Sequence, residues 1–64
     1  MDHEPVLIAY SQRLASQVLL VRSEVIRLAV KKRKLKAYRL PGTKTTRILH
    51  DDLVEWVRET WELV

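Results

Sequence analysis

The 64-residue sequence has no cysteine, a single glycine, two prolines and two histidines. Without cysteine there is no disulfide framework, and His3 and His50 alone fall short of the four ligands of a structural zinc site. The usual staples of a small domain are therefore absent, and aliphatic side chains must form the core. Long hydrophobic runs are missing too. The longest, Val6 to Tyr10 and Val18 to Val21, fall far below the roughly 20 residues of a membrane span. No Ser-His-Asp or Cys-His set, glycine-rich phosphate loop or carboxylate pair in a plausible cleft stands out, so neither catalysis nor a cofactor is expected. A positively charged signal-peptide head is also lacking, since Asp2 and Glu4 lie near the start; the chain reads as cytoplasmic and as beginning at its own Met1.

The composition, 47% hydrophobic and 31% charged, is too apolar for a disordered chain. A length of 64 residues makes one domain, 1–64, which hides only about 60% of the surface its unfolded form exposes. The net charge of +4 conceals a sharp division. Residues 1–30 carry three bases and three acids, residues 31–47 eight bases and no acid, and residues 48–64 one base and five acids. A cation block of this kind is either a solvated face or a surface for a polyanion.

Along the chain, Leu14, Ala15, Val18 and Leu19 form the stripe of a short amphipathic helix over 11–19, with Ser11 as its N-cap. After a break at Leu20, Val21 and Arg22, a second helix is expected over 23–32. It sets Ile26, Ala29 and Val30 inward and Glu24, Arg27, Leu28 and Lys31 outward. Two extended runs come next, Lys34 to Leu40 and Thr45 to Leu49. Pro41 and Gly42 between them suit positions i+1 and i+2 of a type II turn. The pattern predicts a β-hairpin pairing Leu40 with Thr45, so that Ala37 faces Ile48 on one side and Tyr38 faces Arg47 on the other. A closing helix is expected over 50–64, with Asp51 and Asp52 in its first turn and Leu53, Val57, Thr60 and Val64 inward, beside Trp56 and Trp61.

The stretch Val21-Arg-Ser-Glu-Val-Ile-Arg-Leu-Ala-Val-Lys-Lys-Arg-Lys-Leu35 resembles the excisionase and MerR-like winged-helix family. The likeness continues in order through Lys36-Ala-Tyr-Arg-Leu40, Arg47-Ile48 and Asp52-Leu53, with Trp56 three residues on. It covers about Ser11 to Val57. It implies an α+β winged helix-turn-helix with two short helices, a two-stranded wing and a C-terminal helix that braces both. It also implies binding to double-stranded DNA as a recombination directionality factor, which assists an integrase of the tyrosine or serine class in excision, on the nucleoid of a bacterial host. Within these 64 residues no effector domain or long dimerisation helix accompanies the motif, which favours this role over a MerR-type regulator. A compact phage or MerR-like transcriptional regulator is the alternative, and a protein-interaction adaptor a second. Three positions depart from the family. Leu20 and Arg33 stand where it usually has Gly, and Arg22 stands where it has a Ser or Thr cap. With Arg33 there, the second helix is expected to run on through Lys34 or to end in a different turn.

The resemblance assigns Arg22, Ser23, Glu24, Arg27, Leu28, Lys31 and Lys32 to the recognition helix, and Arg33, Lys34, Lys36, Arg39, Thr43, Lys44 and Arg47 to the basic run and wing. Arg27 can grip guanine O6 and N7, and Glu24 can accept from cytosine N4; against this stands a surface pair between the two. The lysines suit phosphates, as does Arg33 beside them. Arg47 either meets DNA or stacks on Tyr38, and the threonines either donate to phosphates or simply favour a strand. Val54 and Trp61, seven residues apart, are candidates for a protein contact with an integrase or with a second copy along tandem sites; packing into the core is the equal alternative for Trp61.

Overall fold

The computed structural model describes residues 8–64, in which three helices pack on a three-stranded antiparallel sheet. The Asp2, His3 and Glu4 readings, and the Val6 part of the first apolar run, lie outside the described residues. A strand not foreseen from the sequence comes first, β1 (Ala9–Tyr10). Ser11 then caps α1 (Gln12–Leu19), its hydroxyl oxygen accepting from the Leu14 N–H at 3.0 Å. Next is α2 (Ser23–Lys31), succeeded by β2 (Tyr38–Arg39), β3 (Thr46–Leu49) and α3 (His50–Thr60).

The hairpin keeps the expected register. Tyr38 pairs with Arg47 and Arg39 with Thr46; at the tip, Leu40 N–H donates to Thr45 O at 3.0 Å. Gly42 has φ 78°, and Thr43 N–H reaches back to Leu40 O at 3.1 Å, as in a type II turn. On the inner face Ile48 is buried and Ala37 half-buried, while Tyr38 and Arg47 face outward. β3 is the central strand, because β1 adds to its other edge with Ala9 opposite Leu49 and Tyr10 opposite Ile48. The Tyr10 hydroxyl lies 2.9 Å from His50 Nδ1, which ties this strand to the start of α3.

The core comprises Tyr10, Ala15, Ile26, Ala29, Leu35, Ile48, Leu53 and Trp56. Several expectations need correction. Val18 is 50% exposed, and Ser16 is buried in its place. Small Ala15 and Ser16 let α1 approach its neighbours closely, and the Ser16 hydroxyl is satisfied by donating to Arg13 O at 2.6 Å. β2 is shorter than expected because Leu35 turns into the core and its N–H, like that of Lys34, goes to Ala29 O. α3 stops at Thr60, where the hydroxyl donates to Trp56 O at 2.6 Å and Trp61 turns extended (φ −87°, ψ 146°), so Thr60 and Val64 are exposed.

The turns that end α1 and α2 adopt the conformation associated with glycine, unlike the extended end of α3. Leu20 has φ 57° and Arg33 φ 60°. Leu20 N–H donates to Gln17 O and Val21 N–H to Ser16 O; Arg33 N–H donates to Val30 O and Lys34 N–H to Ala29 O. Each pair is a Schellman motif, which satisfies the last carbonyls of a helix. Thus α2 neither continues through Lys34 nor changes its type of turn. The architecture is a small α+β winged helix-turn-helix, with α1 and α2 as the helix pair and β2–β3 as the wing.

Candidate nucleic-acid interface

α2 is built to present a polar face. Ile26 and Ala29 anchor it in the core, and at 100° per residue the opposite side carries Glu24, Leu28 and Lys31, flanked by Arg27 and Lys32. All five are exposed, as are Arg22 and Ser23 at the start of the helix. Arg22 precedes the helix without a side-chain cap, so the first-turn N–H groups lack a hydroxyl acceptor of the kind Ser11 gives α1.

At the C-terminal end of α2 the chain doubles back beside the wing. Val30, Leu35 and Ala37 line an open groove of 610 Å³ together with Arg33, Lys36, Tyr38 and Arg39. Three cations and a 48% exposed tyrosine thus border one groove. Lys44 is exposed in the wing loop. Thr43 is partly occupied there, since its hydroxyl donates to Leu40 O at 2.8 Å and accepts from Thr45 N–H at 3.1 Å. Arg47 lies outward on β3 and donates through Nη1 to Thr46 O at 2.7 Å.

Lys34 stands apart from this set. With Lys36 it borders a small cleft of 60 Å³ shared with Asp52, Glu55, Trp56 and Glu59. Asp52 Oδ2 is buried there without a hydrogen-bond partner, and nearby carboxylates offset part of the field of the two lysines. A second acidic cleft, bordered by His50, Asp51, Val54, Glu55, Arg58 and Glu59, covers the outer side of α3. Val54 sits in this cleft, half-buried, whereas Trp61 packs edge-on against Trp56 with ring centroids 5.9 Å apart and is 42% exposed.

The α1 side of one polar cluster was not singled out from the sequence, although Ser23 and Arg27 opposite it were. Gln12, Arg13, Ser16 and Gln17 of α1 face Ser23 and Arg27 of α2 across a cleft of 490 Å³. Its only signal in the sequence is the polar spacing of α1 at i, i+1, i+4 and i+5, which acquires meaning once α2 is packed beside it.

Among the described residues, no helix is long and apolar enough to cross a membrane. Comparison with known proteins returns no matching family model, no matching curated protein and no matching solved structure.

Proposed function

We propose that the chain binds double-stranded DNA, with α2 in the major groove and the β2–β3 wing on the minor groove or the adjacent backbone. One observation carries this reading. The eight bases and no acids of residues 31–47 fall on the end of α2, the turn that follows it and the wing, only Lys34 and Lys36 of them bordering the α3 carboxylate cleft, whereas four of the five acids of residues 48–64 fall on α3. A merely solvated surface has no need for such sorting, while a duplex, with one negative charge per about 1.7 Å of axis, rewards it. In this arrangement Arg27 reads a guanine and Glu24 a cytosine, and Lys31, Lys32 and Arg33 hold phosphates.

The finer role is that of an excisionase: it binds repeated sites beside an attachment site, bends or coats the DNA, and helps an integrase act in the excision direction. Supporting it is the ordered resemblance of residues 21–40, Arg47-Ile48 and the Asp52 to Trp56 segment, carried on a winged helix-turn-helix fold. A compact regulator of the phage or MerR-like kind would use the same surface. Titration of duplex DNA tests the shared part: about five phosphate contacts give a log-affinity against log-salt slope of −4 to −5. No duplex binding at low salt, or binding indifferent to salt, would sink it. Reconstituted excision with candidate integrases, set against a promoter-repression assay, separates the two finer roles.

A further inference from the structure

Cationic clefts without carboxylates flank both ends of α2. At the C-terminal end Arg33, Lys36 and Arg39 border the groove against the wing. Toward the N-terminal end, Ser23 and Arg27 look across to Gln12, Arg13, Ser16 and Gln17 of α1. Among the described residues, the clefts at Lys34 and Glu55 and at His50 and Arg58, both bordered by α3, contain carboxylates.

The nine residues of α2 rise about 13 Å, close to the width of about 12 Å of a B-DNA major groove. A helix of this length set across the groove brings its two ends to the two phosphate strands that border it. We propose that the α1–α2 cleft is a second phosphate seat, holding a phosphodiester of the strand opposite the one under the wing. This rests on the DNA-binding reading and adds residues that reading does not contain.

Arg13 supplies the charge, since a guanidinium fork matches phosphate oxygens, and the Gln12 and Gln17 amides supply neutral donors. Ser16 has a different part. Its proton is committed to Arg13 O at 2.6 Å, so it shapes the buried floor and fixes the backbone from which Arg13 projects. Arg27, between this cleft and the outer face of α2, reaches a base edge from a helix held at both ends. Glu24 lies one residue beyond Ser23 but does not line the cleft, so no carboxylate opposes the anion.

The test is duplex binding by fluorescence anisotropy between about 50 and 200 mM salt, on a mixed-sequence duplex so that base reading is averaged out. Arg13→Ala should make the slope shallower by about 0.9, so that its deficit against the unaltered chain narrows about 3.5-fold across that range. Gln17→Glu should weaken binding further by placing a carboxylate in the seat. Combined with Arg39→Ala, the Arg13 effect should add, because the two seats are separate. Arg58→Ala, on α3 outside both basic clefts, should leave the slope unchanged. Arg13 and Gln17 are exposed, and thermal midpoints near that of the unaltered chain confirm that folding is not the cause. If Arg13→Ala keeps the full slope while Arg39→Ala lowers it, the second seat is overturned and the DNA reading stands. Absence of duplex binding by the unaltered chain overturns both.

Discussion

Leu20 and Arg33 hold left-handed backbone at φ 57° and 60°, a region that costs a residue with a Cβ roughly 1 kcal/mol more than glycine. Leu20 is also 91% exposed, so its side chain recovers little by packing. Leu20→Gly should therefore stabilise the domain by about 0.5–1 kcal/mol and raise the thermal midpoint by a few degrees, measured by circular dichroism. Arg33→Gly should give a similar gain in stability but a loss in duplex affinity, since it removes a cation from the wing groove; a gain in both would separate Arg33 from DNA. On the outer face of α2 the expected split is different. Arg27→Ala should relax sequence choice by about 1–3 kcal/mol at one base pair, and Lys32→Ala should weaken all sequences evenly. Binding to matched and altered sites decides it, and an even loss for Arg27→Ala would mean that the proposed reading face is turned the wrong way. Which charges lie outside was legible in the sequence because burying an unpaired charge is costly, so Arg27, Lys31 and Arg47 had only one direction to face. The turn at Arg33 was not, because a residue with a Cβ argues against left-handed backbone, whereas the Schellman hydrogen bonds hold that backbone with Arg in place.

At the level of elements, the wing is the most self-determined part. Pro41 and Gly42 set the turn, the alternation of Tyr38, Arg47 and Ile48 sets the register, and no distant contact is needed to read either. A Cβ on Gly42 would meet no atom within 4 Å, so substitution there is penalised by the backbone and not by a clash. Gly42→Val should therefore cost a modest ~1–2 kcal/mol of stability, with a larger proportional loss of duplex affinity as the tip carrying Lys44 is displaced. Unchanged affinity in the same titration would remove the wing from the interface. Elements that depend on distant partners were harder to read. β1 is two residues long and pairs with Ile48 and Leu49, far along the chain, so nothing local marks it as sheet. The inward arc of α1 was misjudged at Val18 because apolar periodicity alone cannot tell that Ala15 and a self-satisfied Ser16 make the closer contact. The α1–α2 cleft was hidden for the same reason: Arg13 and Arg27 are unrelated in sequence and are brought together by helix packing.

At the scale of the whole molecule, the basic groove and wing are balanced by an acidic α3, and beyond α3 lies an apolar end, Trp61, Leu63 and Val64, of which Leu63 and Val64 are fully exposed. Trp61 is partly committed: its edge-on contact with Trp56 is worth about 0.5–1.5 kcal/mol beyond area burial, yet 42% of the residue remains open. On the proposed DNA-binding reading, a single domain of this size would meet only a short site and gain little affinity alone, whereas copies touching along adjacent sites would gain it through effective concentration. Aromatic side chains that are half-covered and pinned by a neighbour make good anchors for such contacts, because little rotamer freedom is lost on association. We therefore expect Trp61→Ala to lower stability by about 1 kcal/mol without unfolding the domain and to leave single-site duplex affinity intact. Cooperative filling of tandem sites, or contact with an integrase, should fall. Trp61→Phe, which keeps an aromatic edge against Trp56, should restore stability more fully than cooperativity. Titrating both variants on one-site and three-site DNA separates these effects. If Trp61→Ala retains full cooperativity and recombination activity, or if it unfolds while Trp61→Phe behaves as the unaltered chain in every assay, Trp61 belongs to the core and the apolar end has no part in assembly on DNA.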